Sequence, residues 1–377
     1  VAECPELFDH YLDAAYAHRR PRLIEAGGGQ GWWDFDGLVL PRRSGPGRGP
    51  QRGFAVGAER NDVARRRAFM AEEGIDLMVV YPTTLIALCS FEDRDYACAL
   101  ARAYNDWVAD YCRQCGPQVK AVALVALQEP EEAIKELRRA VETLGLVGVV
   151  IPSMVGSRLV GDEAFMPFFA AAEALNVAVG LHDVTGAYDL PGQQLFDTFF
   201  ATKTIARPFA FMTALLSLMN AGVFERYPGL RVAFLENGAA WLPYWLVRMD
   251  TYYQLQLDRG YLAEETPWLR RPPSEYLATG QLYLTCEGDE RLLPEVLALL
   301  GEDQVMISAD MPHLEARENV VAEIRERTDI SEAVKAWLVR DCGLPANRVR
   351  VIHYGIEPER FMKPSQDLRS TWGLGER

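Results

Sequence analysis

From residue 61 onward, short apolar runs alternate with longer stretches of helical periodicity. The runs Gly74–Pro82, Val119–Leu127, Gly148–Pro152, Val177–His182, Leu230–Leu235, Leu282–Thr285 and Val305–Ala309 carry almost no charge. A run of that length without alternation is the pattern of a strand buried on both faces. Between them, Asn61–Glu73, Asp95–Cys115, Pro130–Leu144, Glu163–Leu175, Phe209–Arg226 and Arg291–Leu300 repeat apolar positions at helical spacing. No Greek-key or hairpin signature interrupts the series, so the pattern predicts a parallel sheet with helical crossovers. The fold expected is α/β, a (β/α)8 TIM barrel that lacks its first strand. No GxGxxG follows the first run, which leaves a dinucleotide-binding fold without specific support.

Ahead of this region, Leu7–Arg20 reads as a short helix. His10 and His18 lie there with no acidic or cysteine partner at ligand spacing, and are expected as surface or packing residues. Glycines 27–29 and 31 open a loop, and Ser44–Gly53 is rich in Gly, Pro and Arg. The expectation is a long surface insertion, a lid or an oligomer contact.

Composition narrows the classes. The 377 residues are 49% hydrophobic and 10% aromatic, a globular balance compatible with a barrel and an appendage. The net charge of −14 argues against nucleic acid or an anionic membrane as partner. No apolar stretch reaches the length of a membrane span. Seven cysteines, an odd number at low density, read as reduced thiols of a cytoplasmic protein. Cys112 and Cys115 form a lone CxxC, a weak signal for zinc or redox chemistry beside two ordinary thiols at a helix end.

In a barrel, residues at the C-terminal ends of the strands converge on one mouth. Here these are His182, Glu236, Cys286, Glu287 and Asp310. Asp310 alone reads equally as a helix cap or turn opener, and His182 alone as a hydrogen-bonded core residue. Together at one mouth they offer imidazole plus carboxylate, the donors of a catalytic divalent ion with an open position. No G-x-S-x-G elbow supports serine hydrolase chemistry. The Trp241–Trp245 run fits packing under a helix, a pocket wall or a dimer contact.

The stretch Gly222–Pro243 (GVFERYPGLRVAFLENGAAWLP) resembles the amidohydrolase-related branch of the amidohydrolase superfamily, which includes the aminocarboxymuconate-semialdehyde decarboxylase-like enzymes. Ser308–His313 (SADMPH) is similar to that branch's "SDxPH" ending, and Val179–His182 to its histidine strand. The resemblance covers residues 1–330. It implies a metal-dependent (β/α)8 enzyme with His182 as a metal ligand and Asp310 as a carboxylate that binds metal or moves a proton. Zn²⁺ is the metal first expected and Mn²⁺ the second, with a small-molecule substrate and a candidate homodimer. The chemistry implied is non-oxidative decarboxylation of a small aromatic or enoic acid. The alternatives are hydrolysis of an amide, ester or lactone, or an inactive barrel fragment. Glu287 and His313 are expected near the substrate.

Two departures from the family pattern shape further expectations. The branch's first strand carries a D/H-x-H pair followed by a "VxEPPxL" run, and Val1–Leu7 (VAECPEL) is similar to the run that comes directly after that pair. Glu3 is then a candidate ligand, a substrate contact or a loop carboxylate. Decarboxylase relatives often carry His-Gly-Gly after strand six, where this chain has Glu236-Asn237-Gly238, a carboxylate placed to act as general base or to orient a ligand. Toward the C-terminus, Arg348–Phe361 (RVRVIHYGIEPERF) resembles the interdomain stretch of GT-B glycosyltransferases. Residues 331–377 are therefore expected as an unrelated tail, joined by a seam near residues 328–340 and excluding His353 from the barrel site. Sugar-nucleotide transfer is a further reading that rests on this tail alone.

Overall fold

The computed structural model describes residues 1–25, 30–42, 54–55, 61–184, 187, 190–311, 313, 319–327 and 329–330. The expected tail at 331–377, its seam beyond 330 and the Ser44–Gly53 stretch lie outside the described residues.

Seven parallel strands form the centre: β5 (Met78–Val80), β6 (Val119–Leu124), β7 (Gly148–Ile151), β10 (Ala178–Leu181), β11 (Val232–Phe234), β12 (Leu282–Cys286) and β13 (Val305–Ile307). Each pairs with the next in the order β5-β6-β7-β10-β11-β12-β13, all in parallel register. All seven expected apolar runs contain a strand, and the sheet is that of a TIM barrel. Its two end strands, β5 and β13, do not pair with one another.

The crossovers are helical: α2 (Val63–Glu73), α3 (Arg94–Cys115), α4 (Pro130–Glu142), α5 (Met166–Ala174), α6 (Phe199–Asn220) with the short α7 (Val223–Arg226), α8 (Trp241–Asp258) with the short α9 (Leu262–Glu265), α10 (Leu293–Leu300) and α11 (Val320–Glu326). Local chemistry sets their ends. The Asp62 and Asp93 side chains accept the backbone N–H of Arg65 and Tyr96, capping α2 and α3. Pro130 occupies the first turn of α4, where no N–H is needed. Gly74, at φ 70°, closes α2 in the left-handed conformation that a residue without Cβ adopts at little cost.

One buried amide ties three layers together. Asn105 of α3 is fully buried; its amide donates to Leu124 O of β6 (2.9 Å) and Glu136 Oε1 of α4 (2.7 Å), while its oxygen accepts Leu124 N–H (2.8 Å).

Sequence reading missed two features. Three strands pair as an antiparallel meander, β1 (Arg22–Glu25), β2 (Gln30–Phe35) and β3 (Leu38–Leu40), with β4 (Phe54–Ala55) pairing β2. A second antiparallel pair, β8 (Met154–Val155) and β9 (Arg158–Leu159), is equally at odds with the expected lack of hairpins. Trp33 and Phe35 of the meander pack edge-on against Phe8 of α1 (Pro5–Tyr11), so this part of the expected surface loop is core. The second feature is α6, which starts ten residues before the expected Phe209 because Pro208 sits inside the helix. No helix among the described residues is long and apolar enough to cross a membrane.

Candidate active site

A cavity of about 630 Å³ runs through the sheet interior and is lined at one end by Tyr81, His182, Leu235, Glu236, Asp310 and His313. These follow the C-terminal ends of β5, β10, β11 and β13, the end at which barrels place their chemistry. An eight-stranded barrel packs this space with side chains; here the interior is hollow and borders both end strands of the sheet, β5 and β13.

Six side chains meet at the mouth or border it. His182 is buried, and its Nε2 stands 2.9 Å from Glu236 Oε2. Neither ring nitrogen has a well-aligned hydrogen-bond partner among the described residues. Arg207 Nη1 reaches the Glu236 backbone oxygen (3.0 Å) and Oε2 (3.3 Å). On the other side, Asp310 Oδ1 faces His313 Nδ1 at 3.1 Å, and His313 Nε2 faces Thr83 Oγ1 at 3.0 Å.

Electrostatics separate the two carboxyls. Burial alone would raise Glu236, but the facing His182, with Arg207 and His313 behind it, holds the group well below the usual carboxylate range. Asp310 moves the other way: burial and a hydrogen bond to the Glu236 carboxylate raise it, against the opposing pull of His313. Two neighbouring acids with opposite shifts are suited to opposite roles, one held as an anion and one more readily protonated.

Both carry backbone strain. Glu236 has φ 55° and Asp310 φ 53°, in the left-handed region that side chains other than Gly and Asn seldom occupy. Each such residue costs on the order of 1 kcal/mol or more. The turn after β11 is held by Glu290, whose Oε2 accepts the N–H groups of Ala239 (2.8 Å) and Ala240 (3.1 Å).

The structure thus brings together His182, Glu236, Asp310 and His313 of the expected site residues. Glu3 is buried nearby, yet both its oxygens serve a loop: Oε1 accepts Thr83 N–H (3.1 Å) and Leu85 N–H (3.0 Å), and Oε2 accepts Thr84 N–H (2.8 Å). Of its three expected roles, the geometry is that of the loop carboxylate. Glu287 does not reach the mouth. Its side chain is exposed and does not line the cavity, because its backbone is drawn toward Glu290 Oε1 (2.7 Å). Cys286 is buried below, its thiol pushed up to about 12 by desolvation. Cys112 and Cys115 are free thiols at the end of α3, and His10 and His18 are exposed, as expected of surface and packing residues.

Sequence reading missed Thr83 and Arg207. Arg207 left a usable trace: it is the lone charge between Lys203 and Glu225, a stretch of 21 residues (204–224) that is otherwise uncharged. A cation in such a stretch asks for a buried anion.

The donor set fits a divalent ion only in part. The buried imidazole of His182 and the Asp310 carboxyl are suitable ligands. Among the described residues, however, no group of three or more His, Cys, Asp or Glu is arranged to hold a metal.

Comparison with known proteins accords with this architecture. The family model described as Amidohydrolase matches residues 63–341. The chain is 30% identical over 284 residues to gamma-resorcylate decarboxylase from a Polaromonas species, covering 71% of this chain and 82% of that enzyme. It is 26% identical over 214 residues to 2-amino-3-carboxymuconate-6-semialdehyde decarboxylase of Dictyostelium discoideum, a match spanning 56% of each chain. In fold it is similar to an amidohydrolase from Mycobacterium avium subsp. paratuberculosis (TM-score 0.67, 21% identity, covering 90% of this chain and 95% of that one). It is also similar to a dihydroxybenzoic acid decarboxylase from Polaromonas, crystallised with manganese and 2-nitroresorcinol (TM-score 0.58, 25% identity, covering 72% and 81%). A match across most of the chain, on a parallel sheet whose strand ends carry His182 and Asp310, establishes that this protein belongs to the amidohydrolase family.

Proposed function

We propose that the protein is a carboxy-lyase acting on a small aromatic or enoic acid without an oxidant. The observation that carries this reading is the Glu236–Asp310 pair beside an apolar-walled cavity, Glu236 held as an anion by His182 and Arg207 and Asp310 shifted toward its protonated form by burial. Decarboxylation needs a proton donor at the reacting carbon. As the carbon–carboxylate bond breaks, its electron pair stays on carbon, CO₂ leaves, and that carbon takes a proton. Asp310 supplies the proton and recovers one from water. Glu236 keeps His182 oriented through their 2.9 Å contact, and Arg207 limits the negative charge at the mouth. Leu235, Ile307 and Tyr81 form the apolar walls that receive a ring or alkene.

His182 and Asp310 are two of the donors a divalent ion would take, and such an ion supplies charge stabilisation to an anionic substrate. Manganese in the Polaromonas neighbour favours Mn²⁺ over the Zn²⁺ first expected. The six described cysteines are all free, which supports a reducing, cytoplasmic setting.

The test is CO₂ release from gamma-resorcylate and from 2-amino-3-carboxymuconate 6-semialdehyde, with Mn²⁺ or Zn²⁺ added after chelation. Metal-dependent release that is lost in Asp310→Asn is expected. Hydrolysis of amides or lactones with no CO₂ from any acid would overturn the reading in favour of hydrolase chemistry. Neither activity, with no metal retained, would leave an inactive barrel.

A further inference from the structure

A buried charge is costly without a counter-charge, so arginines inside a fold normally meet a carboxylate. Elsewhere this chain follows that rule. Arg139 bridges Glu136 and Asp106, Arg19 bridges Asp36 and Asp93, and Arg207 faces Glu236. Arg66 of α2 does not: it is 1% exposed, yet pairs with no acid among the described residues. Its Nε donates to the Tyr111 hydroxyl of α3 at 2.6 Å. Burial pushes that phenol up from its ordinary value, so Tyr111 is neutral at pH 7 and supplies no counter-charge. Nη1 meets only sulfur, Met78 Sδ at 3.3 Å and Met311 Sδ at 3.9 Å, and a thioether is a weak acceptor. Nη2 is buried with no hydrogen-bond partner among the described residues.

The surroundings indicate what the guanidinium lacks. Arg66, Met78 and Met311 all line the central cavity, whose wall also includes the apolar Leu77, Val80 and Val122. The acids of that lining are engaged elsewhere or exposed: Glu236 faces His182 and Arg207, Asp310 faces His313, and Asp76 is exposed. With Nε anchored on Tyr111, the Nη1–Nη2 edge is a fork of the kind that takes a carboxylate through two parallel bonds. Methionine is unbranched and adaptable, so Met78 and Met311 lie against the guanidinium with side chains that can yield to a ligand.

We propose that Arg66 is the binding group of a carboxylate site inside the cavity, separate from the groups at the mouth. The ligand is an organic acid, its carboxylate on the Nη1–Nη2 edge and its apolar body along the cavity wall. An inorganic anion would answer the charge but leave that wall unmatched. The site does not depend on the carboxy-lyase reading, because its occupancy is measured without turnover.

The experiment is calorimetric titration of the full chain, chelator-treated and dialysed, with sodium benzoate and with benzamide, its uncharged counterpart. Benzoate should bind at least about tenfold more tightly, the weight of one hydrogen-bonded charge. Arg66→Met, apolar and of similar shape, should bind benzoate at least about tenfold more weakly than wild type. Its urea midpoint without ligand should hold or rise, since an unpaired buried charge is gone. Arg66→Lys, a charge without the fork, should fall between the two in affinity. Arg207→Met should keep the wild-type affinity, which separates this site from the mouth. Equal binding of benzoate and benzamide, or wild-type benzoate binding in Arg66→Met, would overturn the proposal. So would a loss confined to Arg207→Met, which places the anion at the mouth. Should Arg66→Met lose stability instead, the test passes to Arg66→Lys, where an unchanged benzoate affinity refutes the site. With a turned-over acid in hand, competitive inhibition by benzoate assigns the bound carboxylate to the substrate, and non-competitive inhibition assigns it to a second acid.

Discussion

Replacing Glu3 by Gln separates two readings of one buried carboxylate. As a metal ligand, Glu3 would matter chiefly to the loaded protein. As the structure has it, Glu3 holds the turn after β5 by accepting three backbone N–H groups. Gln keeps one acceptor, the oxygen facing Thr83 and Leu85, but sets an NH₂ group 2.8 Å from the Thr84 N–H. One charge-assisted bond, worth about 1.5–3 kcal/mol, is lost, a buried N–H loses its partner, and the two remaining bonds weaken as the charge goes. The sum is about 3 kcal/mol, roughly a hundredfold in the folding equilibrium. Urea unfolding of chelator-treated protein, followed by far-ultraviolet circular dichroism, reads that loss without metal. Hydrogen exchange at Thr83, Thr84 and Leu85 should quicken locally. If the metal-free midpoint does not move and only bound metal declines, the loop role assigned to Glu3 is wrong.

The same geometry carries further expected outcomes. Asp310→Asn should abolish turnover by at least about a hundredfold, the usual weight of a general acid. It should also stabilise the fold at neutral pH by about 1 kcal/mol, because Asn tolerates φ 53° and the buried acid is removed; thermal unfolding checks the sign. In chelator-treated protein, Glu236 has a lowered folded pKa, so its contribution is present above its unfolded value near 4.3 and fades as pH falls through the folded one. Glu236→Gln should therefore lose stability at neutral pH and flatten the acid limb of the stability profile, and an unchanged limb would refute the pairing with His182. Asn105→Ala strips the Leu124 N–H and C=O of their buried side-chain partner and should cost about 4 kcal/mol in denaturant unfolding.

The sheet was legible because a doubly buried strand needs uninterrupted apolar sequence, and all seven runs, from Met78 to Ile307, folded as that pattern requires. The meander of β1, β2 and β3 was not. Its Gly- and Trp-rich sequence has no clean alternation, and Trp33 and Phe35 are buried by Phe8 and Phe91 from distant segments, a tertiary contact that local pattern cannot announce. Arg207 was hidden by a local rule. Proline usually ends a helix, so Pro208 moved the expected boundary past the arginine that faces Glu236.

The carboxyls themselves show where sequence order stops being a guide. Position at a strand end marked Glu236, Glu287 and Asp310 alike, but only two of them enter the mouth. Those two adopt φ near +55°, and Glu287, the exposed one, is absent from the residues with positive φ. A left-handed residue two or three positions past a strand, as at Glu236 and Asp310, turns the chain out of the sheet, whereas Glu287 follows β12 at once and is set by the Glu290 contact that closes the following turn. The strain at Glu236 and Asp310 is held by hydrogen bonds: Thr285 Oγ1 accepts the Glu236 N–H at 2.7 Å, and His313 N–H returns to Asp310 O at 2.8 Å. Both residues could relieve that strain as Gly, or ease it as Asn, but only a carboxyl can deliver a proton or carry the negative charge that faces His182. The fold therefore accepts local instability at the two positions where the proposed reaction places its proton donor and the anion that orients His182.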